Sequence, residues 1–154
     1  MRICADENVA PLLSALIRDA LLGRHNVLET VDDHQAKGVE DDIWVRKFGR
    51  AGGEAIVGAD AKMLTRPHEV VAIVESGLRL VVLPAPWVNA KINVQISFLF
   101  YWWPHIEAVL ATSRKGQCFK VPWGWGDATD AIKPFTVDAQ AAYKKVKRAE
   151  RREK

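Results

Sequence analysis

The chain lacks the features that mark several specialised classes of protein. Its 154 residues include only two cysteines, Cys4 and Cys118, and these form neither a zinc-binding spacing nor a disulfide framework. The sequence opens on strand-like residues, without the basic and apolar regions of a secretory signal. The longest apolar stretch, 92–103, contains three polar residues and is shorter than the roughly 20 residues that a bilayer requires. We therefore expect a cytoplasmic protein with no membrane-spanning segment.

Net charge is low and unevenly distributed. The chain carries 22 Lys and Arg against 19 Asp and Glu, a formal charge of +3. Residues 143–154 hold seven Lys or Arg and two Glu, so they contribute +5 and leave −2 for the rest. We expect a main domain over 1–135 and a basic C-terminal helix or tail over 136–154. Such a tail is either a solvated end or a source of salt-sensitive phosphate affinity, and the sequence leaves both open.

Short apolar segments alternate with helical patterns along the chain. This alternation predicts βαβ units with right-handed crossovers, and hence a three-layer α/β/α sandwich around a mostly parallel sheet. A further short strand over 119–122 is expected at the edge of the sheet. The main predicted strands are 2–5, 26–31, 54–59 and 79–83.

The helices are predicted from apolar spacing and from proline, glycine and capping residues. The second should bury Ile43, Trp44 and Phe48, and Asn89 should cap the longest one. Trp102 and Trp103 lie in that longest helix, where they indicate either core or a dimer surface. The predicted helices run from Pro11 to about residue 21, over 41–51, over 69–76, from Asn89 to about 113, and from Thr136 onward.

Acidic residues follow two of the predicted strands. Asp6 comes directly after the first strand and Asp60 after the third, while Glu40, Asp41 and Asp42 open the helix between them. Because the carboxyl ends of parallel strands meet at one edge, these acids should lie close together. Clustered carboxylates repel one another unless a cation lies among them, and all-oxygen ligands suit Mg²⁺ or Mn²⁺.

Each of these acids also has an ordinary structural explanation. Asp6 or Asn8 could cap the first helix, and an Asp such as Asp60 is common in a turn after a strand. Acids in the first turn of a helix are stabilised by the helix dipole by about 0.3–1 kcal/mol each. Independent capping does not explain why three acidic sites fall at the same predicted edge.

Together these segments resemble the PIN-like domains, which include the VapC-type toxin ribonucleases of toxin–antitoxin pairs. The resemblance covers roughly residues 1–90 and is nearest to the branch that begins with Asp-Glu-Asn. The residues that carry it are Asp6-Glu7-Asn8 after the first strand, Asp41-Asp42-Ile43-Trp44, Gly49-Arg50-Ala51-Gly52, Asp60, Lys62 and Arg66-Pro67-His68.

The resemblance implies metal-dependent hydrolysis of RNA. It implies that Asp6, Asp41 and Asp60 are the catalytic, metal-binding carboxylates, and that Mg²⁺ or Mn²⁺ is the cofactor. The further metal-ligand candidates are Glu7, Glu40 and Asp42. RNA is the implied substrate and a cognate antitoxin the implied protein partner; a homodimer is a further expectation.

The sequence departs from the family pattern at two places. Studied members usually have a fourth acid beyond the third, whereas here no Asp follows Asp60 until Asp127. The acids near Asp60 are Glu69 and Glu75, and Glu7 is another candidate to complete the site. The family also commonly has Thr or Ser just before the third acid, where this chain has Gly58-Ala59.

Basic and aromatic residues provide candidate contacts to RNA. Lys62 and Arg66 should lie beside the acids and bind phosphate, for which the planar guanidinium is well suited. Alternatively, Arg66 pairs with Glu69 in a weak surface contact, and His68 is expected to be structural. Among the six tryptophans, Trp123 and Trp125 in the 123–126 turn are the candidates for stacking on bases.

Two other functions fit parts of the pattern. A receiver-like phosphoacceptor domain also has an acidic pair after its first strand and an Asp after its third. It further needs a hydroxyl residue at the end of strand four and a Lys at the end of strand five, and strand four here ends Val82-Leu83-Pro84. The other alternative is a non-catalytic PIN-like module that binds RNA or a protein.

Overall fold

A mixed six-stranded sheet forms the centre of the protein. The computed structural model describes residues 1–125 and 131–154. The strand order is β2-β1-β3-β4-β5-β6, in which β6 alone is antiparallel to its neighbour. The strands are β1 Arg2–Ala5, β2 Val27–Thr30, β3 Ala55–Gly58, β4 Arg79–Val82, β5 Cys118–Lys120 and β6 Lys133–Phe135.

Helices cover both faces of this sheet, and the predicted three-layer α/β/α architecture is confirmed. Helix α1 continues into a π-helical segment, Ile17–Leu21, and a 3₁₀ turn, Ala61–Leu64, precedes α3. None of the helices in the described part of the chain is both long and apolar enough to cross a membrane. The helices are α1 Pro11–Leu16, α2 Asp41–Arg50, α3 Pro67–Ser76, α4 Ala85–Val88, α5 Ile92–Thr112 and α6 Ala139–Arg152.

The strands are short and apolar because both of their faces are buried. In β1, Ile3 and Ala5 join the core beneath α1 and α5, whereas Cys4 joins the core beneath α2 and α3. Trp102 and Trp103 are fully buried in the first of these cores, so the prediction that they belong to the core is confirmed.

One sequence prediction about the sheet edge was wrong, and one strand was missed. The strand expected over 119–122 is β5, which lies inside the sheet between β4 and β6. The edge strand is β6, whose Pro134 does not interrupt the pairing with β5. A proline is tolerated in an edge strand because one side of that strand needs no hydrogen-bond donors.

Gly126, the last residue of the predicted 123–126 turn, lies outside the described residues.

Two predictions about the helices were also wrong. Ile43 is 52% exposed, because the buried side of α2 is formed by Trp44, Val45 and Phe48. Asn89 does not cap α5: it follows the short helix α4, and Lys91 occupies the N-cap position of α5 without a side-chain hydrogen bond.

The sheet changes direction at β1. From β1 the chain first adds β2 on one side and then crosses to add β3 on the other. The carboxyl ends of β1 and β3 therefore form the topological switch point, where ligands bind in open α/β sheets. Asp6 and Asp60 both lie just beyond these two ends.

Candidate active site

Asp6 is held rigidly between β1 and β3. Its Oδ1 accepts a hydrogen bond from the backbone N–H of Asn8 at 3.0 Å, and its Oδ2 accepts one from that of Ala59 at 3.1 Å. Its own N–H donates to the carbonyl of Val57 at 3.0 Å. The residue is only 5% exposed. These contacts fix both carboxylate oxygens. The alternative that Asp6 or Asn8 caps the first helix was wrong, because Ala10 occupies the N-cap position of α1 and makes no side-chain hydrogen bond there.

The surroundings of Asp6 disfavour its charged form. Burial raises the pKa of Asp6 to about 6, and the negative charge of Asp41 adds to the rise. The hydrogen bonds from Ala59 and Asn8 oppose it because they stabilise the carboxylate. A positive charge at this edge would favour ionised Asp6.

Gly58 provides the space that Asp6 occupies. A Cβ atom added at Gly58 would lie 2.6 Å from Asp6 Oδ2, too close for any side chain without displacing the carboxylate. Gly58-Ala59, the segment where the family commonly has Thr or Ser, is therefore the segment that contacts Asp6. Here the carboxylate of Asp6 lies against a bare glycine and accepts its hydrogen bond from the backbone of Ala59.

Asp41 and Asp60 are each positioned by one neighbour. Asp41 Oδ1 accepts a hydrogen bond from the indole Nε1 of Trp44 at 2.9 Å, and Asp60 Oδ1 accepts one from the backbone N–H of Lys62 at 2.9 Å. In both residues the second oxygen faces Arg66. Asp41 Oδ2 lies 3.5 Å from Nη1, and Asp60 Oδ2 lies 3.3 Å from Nη2.

A fourth carboxylate, that of Glu69, completes the group. Its Oε1 accepts a hydrogen bond from Arg66 Nη1 at 2.9 Å, while its Oε2 is buried without a partner in the described structure. Glu69 is only 7% exposed, and burial raises its pKa. We call Asp6, Asp41, Asp60 and Glu69 the acidic edge.

Glu69 was underrated in the sequence, where it appeared only as a nearby acid and as an alternative partner for Arg66. That pairing is present, but Arg66 also contacts Asp41 and Asp60, so the contact is not an isolated surface pair. The available signal was position: Glu69 lies in the first turn of α3, three residues after Arg66.

The remaining predicted site residues lie around this edge. Glu40 and Asp42 line an open cleft together with Asp41, Glu69 and the 66–68 segment. Glu7 lines a small cavity on the other side of Asp6. Lys62 is exposed in the 3₁₀ turn next to Asp60. The structure thus brings every predicted residue to one edge but assigns none of them a role.

The tryptophan pair proposed for base stacking lies against α5. Trp123 stacks on Phe98 with a ring-centroid distance of 5.6 Å, and Trp125 packs edge-on against Tyr101 at 5.4 Å. The two tryptophans are 48% and 58% exposed. Each therefore has one side engaged in packing, and its binding of bases stays a prediction.

The acidic edge matches a hard divalent cation in the kind of donor it offers. Its ligands would all be carboxylate oxygens, and Glu69 Oε2 is a buried acceptor that lacks a donor. Even so, no group of three or more His, Cys, Asp or Glu side chains among the described residues is arranged to hold a metal ion. The guanidinium of Arg66 lies where three of the carboxylates converge, and its single positive charge offsets part of their negative charge.

Comparison with known proteins gives one match. The family model described as PIN like domain matches residues 1–85, which is more than half of the chain. The matched segment contains all four members of the acidic edge and Arg66. No curated protein and no solved structure matches the chain.

Proposed function

The chain belongs to the PIN-like domain family, and from that premise we propose that it is a metal-dependent endoribonuclease that hydrolyses RNA phosphodiester bonds. The family supports a nuclease-type fold. The observation that carries the proposal is the convergence of Asp41, Asp60 and Glu69 on one cationic group, beside the buried Asp6.

In this proposal Asp6, Asp41 and Asp60 hold Mg²⁺ or Mn²⁺, with Glu69 as a fourth acid. When bound, such a cation supplies the positive charge that lowers the pKa of an attacking water and neutralises the leaving oxygen. The protein contributes prearranged ligands: backbone N–H groups fix Asp6, the indole of Trp44 orients Asp41, and the N–H of Lys62 orients Asp60.

Arg66 has a double role in this proposal. Without substrate it offsets part of the negative charge of Asp41, Asp60 and Glu69. Its planar guanidinium also suits bidentate contact with a phosphate. Because Arg66 is about half exposed at the cleft, it can turn from the acids to a phosphate of the RNA without unfolding α3.

The decisive experiment is cleavage of labelled total RNA by the purified full chain with Mn²⁺, with Mg²⁺ and with EDTA. Asp6→Asn and Asp60→Asn are compared with the wild type, and Asp19→Asn, an exposed acid outside the site, is the matched control. We expect metal-dependent cleavage that both site variants lose and the control keeps. Unchanged cleavage in both site variants would overturn the proposal, and RNA binding without cleavage would favour the non-catalytic module.

No observation favours the receiver-like alternative. Strand β4 ends at Val82 and is followed by Leu83 and Pro84, none of which has a hydroxyl group. Lys120 does end β5, but its Nζ lies 4.0 Å from the centroid of the Phe135 ring in a cation–π contact. Failure to gain mass after incubation with acetyl phosphate is therefore the expected result.

We also propose that the protein is the toxin of a toxin–antitoxin pair, on the strength of the sequence resemblance alone. Induced expression in a bacterial host should then arrest growth, and Asp60→Asn should relieve the arrest at equal protein level. Normal growth while the wild-type protein cleaves RNA in vitro would contradict the toxin role and leave the nuclease proposal intact.

A further inference from the structure

The basic C-terminal segment is a folded helix attached to the domain. Helix α6 packs on α3, where Ala142 joins Val70 and Val71 in a buried cluster. Asp138 caps the helix by accepting a hydrogen bond from the backbone N–H of Ala141 at 2.9 Å. The hydroxyl of Tyr143 donates to Glu75 Oε1 at 3.0 Å. Position and orientation of the helix are thus fixed by α3, the helix that carries Glu69.

The side of α6 that faces away from α3 is strongly basic. Six cationic residues on it are exposed, and none makes an ion pair within the described residues. We call this surface the basic face. At 14 residues, α6 is about 21 Å long, enough to contact several phosphates of one strand. The basic face consists of Lys144, Lys145, Lys147, Arg148, Arg151 and Arg152.

One side of the basic face borders the chain segment on either side of Arg66. Lys145 lines a groove whose opposite wall includes Thr65 and Pro67, the two neighbours of Arg66. Residues three and seven positions later lie on the same side of a helix, so Arg148 and Arg152 continue from Lys145. We call Lys145, Arg148 and Arg152 the groove stripe.

The other three cations form a second row of equal charge. They have the same spacing, and the row begins at Lys144, beside Tyr143, whose hydroxyl contacts the far end of α3 at Glu75. We call this row the outer stripe. It consists of Lys144, Lys147 and Arg151.

We propose that the groove stripe binds the sugar–phosphate backbone of the RNA next to the segment being cleaved, so that the strand passes from the acidic edge over Arg66 onto α6. This inference rests on the proposed function for the identity of the polyanion. Three observations support it. The cations make no ion pair within the described residues, they are held on a packed helix, and the first of them, Lys145, lies across one groove from the two neighbours of Arg66. An unpaired row of cations complements a phosphate backbone.

The test compares two variants that remove the same charge from the same helix. In one, the groove stripe is replaced by Lys145→Gln, Arg148→Gln and Arg152→Gln; in the other, the outer stripe by Lys144→Gln, Lys147→Gln and Arg151→Gln. Glutamine keeps a good helix propensity, so both variants should fold, which a thermal melt verifies. Binding of a single-stranded RNA of about 20 nucleotides, longer than many single-strand sites, is followed by fluorescence anisotropy in EDTA, where no metal-dependent cleavage occurs.

The salt dependence gives the sharper readout. Between about 50 and 200 mM KCl, loss of three phosphate contacts to single-stranded RNA should reduce the slope of log K against log salt by about 2. We expect this smaller slope in the groove-stripe variant, together with an RNA affinity at least tenfold lower than that of the wild type. In the outer-stripe variant, both the slope and the affinity should change much less. Equal losses would overturn the proposal, because net charge alone would then explain them; so would the absence of a loss.

Cleavage separates this inference from the proposed function. A dinucleotide is too short to reach α6, so both stripe variants should cut it as the wild type does, whereas the groove-stripe variant should cut the long RNA less efficiently. A different outcome is that neither the wild type nor the variants cleave RNA while the groove-stripe variant still binds it more weakly in EDTA. That result would contradict the nuclease proposal and support the groove stripe as an RNA-binding surface. Slower cleavage of the dinucleotide by the groove-stripe variant would instead show that the groove stripe is not separate from the site of cleavage, and would contradict the inference.

Discussion

The acidic edge and the basic face bear opposite charges and are built in opposite ways. At the acidic edge, short side chains are buried or held by single hydrogen bonds, and Asp6 has both oxygens fixed by backbone N–H groups. On the basic face, long side chains project from α6 and only the helix backbone is fixed. The acidic edge therefore depends on the exact positions of a few atoms, whereas the basic face depends on the number of positive charges it presents.

This difference sets the expected size of mutational effects. Under the proposed function, a single substitution at the acidic edge should remove a metal ligand held in a fixed position. On the basic face, neighbouring cations compensate in part, so one substitution has a small effect and several have a cumulative one. The two regions also differ in their cost to folding, because burying a carboxylate is unfavourable whereas an exposed lysine costs almost nothing.

The largest effect should come from Asp41, with its sequence neighbour as the control. In Asp41→Asn the Oδ1 that accepts from Trp44 is retained, so the helix should stay folded while one charged oxygen ligand is lost. Since a bound cation supplies several kcal/mol in the transition state, we expect RNA cleavage to fall at least about 1000-fold. Cleavage rates measured over a range of Mn²⁺ concentrations test this.

Asp42→Asn removes the same charge one residue away, in the same cleft. We expect it to reduce cleavage by less than about threefold, in line with a solvent-screened charge. If Asp42→Asn were as inactive as Asp41→Asn, the effect of losing an acid would not depend on its position. The acidic edge would then resemble the basic face, where only the number of charges matters.

The second effect is the cost of the acidic edge to stability. The pKa of Asp6 is about 6 in the fold, against an ordinary value near 3.9 in an unfolded chain. Between these values the folded state binds more protons than the unfolded one. The free energy of unfolding of the metal-free protein should therefore fall as pH rises from about 4 to about 6, by an amount on the order of 3 kcal/mol.

The measurement is chemical denaturation in EDTA across that pH range. In Asp6→Asn the free energy of unfolding should fall much less over this range than in the wild type, whereas in Asp19→Asn it should fall as much. Part of the decrease should persist in Asp6→Asn, because burial also raises the pKa of Glu69 and acts with the same sign. Parallel pH profiles for Asp6→Asn and the wild type would show that Asp6 is not buried as an ionisable acid.

The sequence was sufficient to predict the regular part of this structure. Four of the predicted strands and the helices predicted over 41–51 and 69–76 were found, the latter beginning two residues earlier at Pro67. Apolar strands buried on both faces and helices with one apolar side leave clear periodic patterns. The collection of Asp6, Asp41 and Asp60 at one edge followed from parallel topology alone. Strand β6 was missed because it has three residues, one of them Pro134.

What the sequence could not provide was the arrangement of side chains within the acidic edge. Glu69 is separated from Asp60 by a 3₁₀ turn, and nothing in a linear pattern shows that its side chain points inward rather than to solvent. The same holds for Arg66, whose pairing with Glu69 was foreseen but whose contacts with Asp41 and Asp60 depend on three separate elements.

The smallest of the three effects concerns Arg66, the cation that lies among the acids of the acidic edge. Arg66→Gln removes the guanidinium that contacts Asp41, Asp60 and Glu69 and that, under the proposed function, competes with a metal ion for them. We expect Mn²⁺ to bind about tenfold more tightly, a change of ~1.4 kcal/mol, as measured by isothermal titration calorimetry. Binding of RNA should weaken in the same variant because a phosphate contact is lost.

Arg148→Gln is the matched control, since it removes the same kind of side chain from the basic face. That residue contacts no carboxylate in the described structure, so Mn²⁺ affinity should not change, while RNA binding weakens slightly and the salt slope falls by less than about 1. Weaker Mn²⁺ binding in Arg66→Gln would mean that the guanidinium holds the carboxylates in place rather than competing for them. Arg66 would then belong with the positioning contacts of Trp44 and Lys62, and the acidic edge would depend on a fixed cation for its shape.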